Sequence, residues 1–149
     1  MEVRLAGPAD AEAVGEVFAA SFETLTFLPM LHSHDELCAF AGGLVGKDEV
    51  WVAEDAGRIV GMAALSGDTL SQLYVHPDAQ GRGAGSALLD QVKARRPGGF
   101  DLWVFQQNVG ARRFYERHGL TAARFTDGSG NEEKTPDALY EWRPREEDA

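Results

Sequence analysis

The segment Leu73-Tyr74-Val75-His76-Pro77-Asp78-Ala79-Gln80-Gly81-Arg82-Gly83-Ala84-Gly85-Ser86-Ala87-Leu88-Leu89 does most to restrict what this chain can become. An apolar strand meets His76-Pro77, and proline cannot extend a hydrogen-bonded ladder. Three alternate glycines follow, and then apolar residues at helical spacing. A strand, a glycine turn and a helix in succession fit a domain that mixes helices with a sheet, and with the hairpin and the other helices of the chain the fold class reads as a mixed α/β sandwich. Glycines also leave backbone N–H groups unobstructed by side chains. At the start of a helix such groups form an anion site suited to phosphate, and Arg82 adds a movable positive charge.

The flanking patterns fill in the layers. Residues 2–6 alternate weakly and predict a short first strand. Val14, Val17, Phe18 and Phe22 repeat at helical spacing, so a helix runs to about Ser21. Ser33 and Glu36 have the form of a capping box opening a second helix, with Gly46 as its stop. Residues 50–54 and 58–65 read as a hairpin about Asp55-Ala56-Gly57. The second arm is apolar at both parities, as an interior strand covered on both faces should be. Further strands are predicted at 70–75, 102–105, 120–125 and 138–142, and further helices over 83–94 and from Asn108 to Gly119. Asn108 is a good N-cap.

Composition narrows the function. With 149 residues the chain is expected to form one domain, 1–149, with 144–149 as a frayed tail. A net charge of -10 argues against a general nucleic-acid partner, which needs a phosphate-neutralising surface. The single cysteine, Cys38, excludes an internal disulfide framework and multi-cysteine zinc patterns. No apolar run reaches the length of a membrane span and the start is no signal peptide, so no membrane partner and a cytoplasmic location are expected.

Which phosphate ligand suits the glycine turn depends on spacing. Gly81-x-Gly83-x-Gly85 misses the dinucleotide fingerprint, because a third glycine is needed where Ser86 or Leu88 stands. No Gly-Lys-Ser/Thr follows to make a Walker loop. The form that fits is Gln/Arg-x-x-Gly-x-Gly/Ala, as Gln80-Gly81-Arg82-Gly83-Ala84-Gly85, and here the sequence resembles the GNAT superfamily of N-acetyltransferases. Asn108-Val109-Gly110-Ala111-Arg112-Arg113-Phe114-Tyr115-Glu116-Arg117-His118-Gly119-Leu120 resembles the family's Asn-x-x-Ala-x-x-Phe-Tyr-x-x-x-Gly-Phe segment. The order of elements matches as well. The resemblance covers residues 50–142 and is only topological before that.

The resemblance implies a mixed, mostly antiparallel sheet of about seven strands flanked by about four helices, splayed between the fourth and fifth strands. It implies acetyl-coenzyme A as acyl-donor substrate, its pantetheine arm lying along the backbone of Leu73, Tyr74 and Val75. The pyrophosphate would take N–H groups from Gly81, Arg82, Gly83, Ala84, Gly85 and Ser86, beside Gln80. Asn108 and Ala111 would line the other side. By the same match Tyr115 is the general acid toward the sulfur, also touching the cofactor, and the Val75 N–H is the carbonyl donor. The acceptor would be a primary amine of a small molecule or peptide, attacked directly in a ternary complex. Look-alike proteins are commonly homodimers.

One position departs from the pattern. Some family members carry a glutamate base five residues before the asparagine, and here that residue is Trp103. Asp68, Ser71, Gln72, or a water chain ending at Glu36 or His32 remain as bases. Two other readings stay open: a non-catalytic coenzyme A sensor, or an acyltransferase using another acyl group or a hydroxyl acceptor. Arg82, Arg112 and Arg113 are candidates for concentrating positive charge near an anionic cofactor. Asp127, Glu132 and Glu133 either draw in a cationic amine or form a solvated loop. Residues 25–31 either line the acceptor pocket or belong to the core. His32 and His34 with Asp35 suggest a metal, but the chain has only two other histidines; a surface helix start or an acceptor-site wall is the preferred reading, with no metal.

Overall fold

The computed structural model describes residues 1–144, so the tail from position 145 lies outside the described residues. The elements run in the order β1 (Glu2–Leu5), a 3-10 turn (Pro8–Asp10), α1 (Ala11–Phe22), α2 (His34–Gly42), β2 (Glu49–Asp55), β3 (Arg58–Ser66) and β4 (Thr69–Val75). A second 3-10 turn (Pro77–Ala79) leads to α3 (Ala84–Arg95), β5 (Phe100–Phe105), α4 (Val109–Arg117), β6 (Thr121–Phe125) and β7 (Asp137–Trp142).

The seven strands form one sheet in the order β1-β2-β3-β4-β5-β7-β6. Every neighbouring pair is antiparallel except β4 and β5, which are parallel and share the single register pair Thr69↔Asp101. The Asp101 N–H donates to Asp68 O at 3.0 Å, and Thr69 Oγ1 donates to Asp101 Oδ1 at 2.7 Å. Beyond that point the two strands diverge, leaving a V open toward their C-terminal ends.

Both faces of the sheet are covered. On one, α1 and α2 bury Val14, Val17, Phe18 and Leu37 against Val50, Val52, Met62 and Ala64. On the other, α3 and α4 bury Leu88, Leu89, Val92 and Tyr115 against Ala63, Leu65, Leu102 and Tyr140. The middle of β3 is therefore buried without a break, from Val60 to Leu65, as its unalternating apolar sequence requires.

The capping box of α2 forms as expected: the Glu36 N–H donates to Ser33 Oγ at 3.1 Å, and the Ser33 N–H donates to Glu36 Oε1 at 2.9 Å. The helix stops at Gly42 rather than running on to Gly46. Residues 43–48 close tight turns of their own, and Gly46, at φ +85°, redirects the chain into β2.

Candidate active site

The turn between β4 and α3 is held open by backbone geometry. Gly81 and Gly83 sit at φ +81° and +87°, and Gly83 is the N-cap of α3. A residue with a side chain would be strained there by about 1–2 kcal/mol. Gly85 serves a different purpose from the one its spacing suggests. The edge of the Phe114 ring stands 3.3 Å from where a Cβ would lie, so this glycine lets α4 pack on α3. The first intrahelical bond of α3 runs from Ala87 N to Gly83 O, leaving the amides of Ala84, Gly85 and Ser86 directed out of the helix start. Those donors and the helix dipole fit a pyrophosphate by their chemistry.

The wall of this cradle is tied down from behind. His118 Nδ1 bonds the Phe114 carbonyl at 2.8 Å, which makes Nδ1 the protonated nitrogen and leaves Nε2 to accept from Ser86 Oγ at 3.0 Å. Arg82 lies on the outside, 60% exposed and 3.6 Å from Asp55, free to swing inward. Arg112, a candidate for the same electrostatic role, is committed elsewhere. It donates to the Tyr140 hydroxyl at 3.1 Å and the Gln106 carbonyl at 3.3 Å, with Phe125 against its guanidinium. Arg113 is exposed on α4.

The V between β4 and β5 presents unpaired backbone. The His76 N–H is spent on Val60 O, 2.8 Å away in β3. Because successive peptide groups of a strand alternate sides, those of Leu73 and Val75 turn away from β3, toward the gap left by β5. Gln80 Nε2 donates to Val75 O at 3.4 Å. Across the gap, Asn108 caps α4, accepting from the Ala111 N–H at 3.3 Å. Tyr115 is 8% exposed, packed between Phe114 and Tyr140. Burial pushes its hydroxyl well above the usual tyrosine range, with Tyr74 adding to the effect, so the group is a neutral donor.

A cleft of about 1230 Å³ lies on the α1–α2 side of the sheet. One wall is aromatic: Tyr74 meets Phe18 edge-on at 5.1 Å between centroids, and Phe22 and Phe40 continue it. Trp103 forms the facing wall, with the Arg124 guanidinium 5.2 Å from its ring centroid. The rim is acidic, with Glu36 on one side and Glu132, Glu133 and Asp137 on the other. His32 spans the rim, pairing with Glu132 at 2.5 Å and lying 3.9 Å from Glu36.

These positions sort the candidate bases. Ser71, Gln72, His32 and Glu36 all face the cleft. Asp68 does not: it sits at the closed end of the V, 85% exposed and paired with Arg96. Residues 25–31 supply no wall either. Leu28 is buried, Phe27 packs on Phe105 at 6.0 Å, and Met30 is 89% exposed. The wall residues that sequence reasoning missed are Phe18 and Phe22, whose helical spacing marks them as inward-facing without saying what they face.

Residues 46–121 match the model of the acetyltransferase (GNAT) domain. An N-acetyltransferase of Archaeoglobus fulgidus is 30% identical over 148 residues, covering 89% of this chain and 100% of that protein. The chain belongs to the GNAT acetyltransferase family. The peptidyl-lysine N-acetyltransferase YiaC of Escherichia coli is 37% identical over 71 residues, 47% of this chain and 48% of YiaC, so that match spans about half of each. Among solved structures, apo YjaB from Escherichia coli superposes with a TM-score of 0.78 at 22% identity, over 95% of this chain and 96% of that one. The PaiA N-acetyltransferase of Thermoplasma acidophilum, solved with coenzyme A, gives 0.72 at 19% identity over 96% and 98%. Among the described residues no helix is long and apolar enough to cross a membrane.

Proposed function

We propose that the protein is an acetyl-coenzyme A-dependent N-acetyltransferase, working as one domain and acting on a primary amine of a peptide or small molecule. The single observation that carries this reading is the V between β4 and β5 ending in the Gly81–Gly83 turn. The amides of residues 81–86 hold the pyrophosphate, and the peptide groups of Leu73 and Val75 take the amides of the pantetheine arm as an added strand would. The PaiA N-acetyltransferase, which shares the fold, was solved with coenzyme A, and this supports coenzyme A as the carrier of the acyl group.

The amine enters from the cleft on the other face and attacks the thioester carbonyl. The Val75 N–H stabilises the oxygen as it gains charge, and Tyr115 gives its proton to the departing sulfur. Trp103 supplies no base, so the proton released by the amine leaves through water to His32 or Glu36 at the rim. Aromatic walls beneath a carboxylate rim suit a cationic amine on an apolar arm, such as a lysine side chain. The name of YiaC as a peptidyl-lysine acetyltransferase supports that class.

The test is calorimetric titration with acetyl-coenzyme A, followed by free-thiol release with a panel of lysine peptides and small amines. Binding with turnover on at least one amine is expected. Absence of both heat and thermal protection would overturn the reading. A second reading, a coenzyme A sensor, draws on Trp103 alone; it predicts tight binding with no turnover on any amine.

A further inference from the structure

Where α1 crosses α2, Gly15 meets the backbone of Cys38 so closely that any Cβ at position 15 would overlap the Cys38 carbonyl. That approach sets the next residue of α1, Glu16, against α2. On α2, His34 and Cys38 stand four residues apart and share a face. Glu16 Oε2 lies 3.1 Å from His34 Nε2 and 3.6 Å from Cys38 Sγ, and the three ligand atoms all fall within 4.8 Å of one another.

We infer that Glu16, His34 and Cys38 form a binding site for a divalent cation of the zinc class. Zinc bonds of about 2.0–2.3 Å in a tetrahedron place ligand atoms roughly 3.3–3.6 Å apart, close to the two Glu16 spacings of 3.1 and 3.6 Å, and His34 Nε2 and Cys38 Sγ lie within 4.8 Å of each other. The fourth position faces solvent. The set offers one nitrogen, one sulfur and one carboxylate oxygen, a borderline-soft combination that disfavours magnesium and calcium. Glu23 supplies the outer support: its carboxylate bonds His34 Nδ1, the arrangement that fixes a metal-bound imidazole with Nε2 toward the ion. Glu12 and Asp35 line the same hollow and add negative potential.

Metal binding requires the Cys38 sulfur as thiolate and a free lone pair on His34 Nε2. Binding forms bonds from the ion to Sγ, Nε2 and the Glu16 oxygen, and releases the thiol proton. A proton on Nε2, where the imidazole is charged, is released too, while Nδ1–H stays with Glu23. The ion thereby staples α1 to α2, whose inner faces carry Phe18, Phe22 and Phe40 of the cleft.

The full chain, stripped with a chelator, is titrated with cobalt(II) and then zinc. Cys38 is the only cysteine, so a thiolate-to-cobalt charge-transfer band reports on this site alone. We expect that band at one equivalent, its displacement by zinc, and at least tenfold slower labelling of Cys38 by a disulfide reagent. Cys38→Ser abolishes the band while retaining the melting transition, and Glu23→Gln weakens zinc binding roughly 10- to 100-fold. Absence of the band, unchanged labelling, or wild-type zinc affinity in Glu23→Gln overturns the assignment. Zinc held elsewhere without protecting Cys38 overturns it equally.

Discussion

Tyr115 is the residue we propose as proton donor to the sulfur, and its surroundings keep it protonated. Because burial raises its pKa above the usual tyrosine value, the hydroxyl stays protonated through about pH 10. Tyr115→Phe should therefore lower kcat at least tenfold and leave coenzyme A affinity unchanged. Unchanged kcat in this variant at every pH would remove Tyr115 from the mechanism. Gly83 allows backbone strain and charge to be separated. Gly83→Ala pays the left-handed strain of about 1–2 kcal/mol and should bind coenzyme A more weakly, whereas Gly83→Asp places a carboxylate against the pyrophosphate and should abolish binding. Calorimetry on the pair gives the comparison. At this scale the sequence was informative wherever a residue's task is local. The turn glycines and the Asn108 cap answer to their own backbone. Gly85 and Arg112 do not: what they do depends on Phe114 and Tyr140, which arrive from elsewhere in the chain.

Among the elements, helices and strands followed the apolar periodicity closely, because each buries one identifiable face. The end of α2 was misread since a glycine can end a helix or turn a loop, and only the neighbouring turns decide which. The junction of β2 with α3 carries a prediction of its own. Glu49 accepts from Arg95 at 2.9 Å, Trp51 at 2.8 Å and Arg96 at 3.2 Å. Arg95 foremost, with Trp51 and Arg96, pulls its carboxyl down to about 2 from 4.5. A lowered folded-state pKa gives stability that is present above pH 4.5 and lost as pH falls toward 2. Thermal melts should show the wild type losing Tm across that window, and Glu49→Gln, less stable at neutral pH, should lose less across it.

For the whole molecule, charge distribution sets how the two substrates approach. A net charge of -10 repels an anionic thioester at long range and attracts a cationic amine. Raising salt from roughly 20 to 200 mM, which shortens the Debye length from about 20 to 7 Å, should lower kcat/KM for a lysine peptide. The same change should leave kcat/KM for acetyl-coenzyme A flat or raise it. Parallel falls for both would show that the acidic rim does not steer the amine. The donor side was readable because one contiguous stretch builds it. The acceptor side was readable only as separate candidates, because His32 and Glu36 meet Glu132 and Glu133 at one rim from positions about a hundred residues apart.

The lone Thr69↔Asp101 rung makes the sheet two leaves on one hinge, β1 to β4 against β5, β7 and β6. Each leaf ends at the gap in a row of backbone groups with no interleaf ladder, the condition that invites a stray strand to dock. On the placement we propose, a thioester arm would lie there as a removable strand and pair with the facing row. With the slot bare that row stays open to a stray strand, so adding acetyl-coenzyme A should suppress self-association in light scattering, and equal scattering with and without it would contradict this.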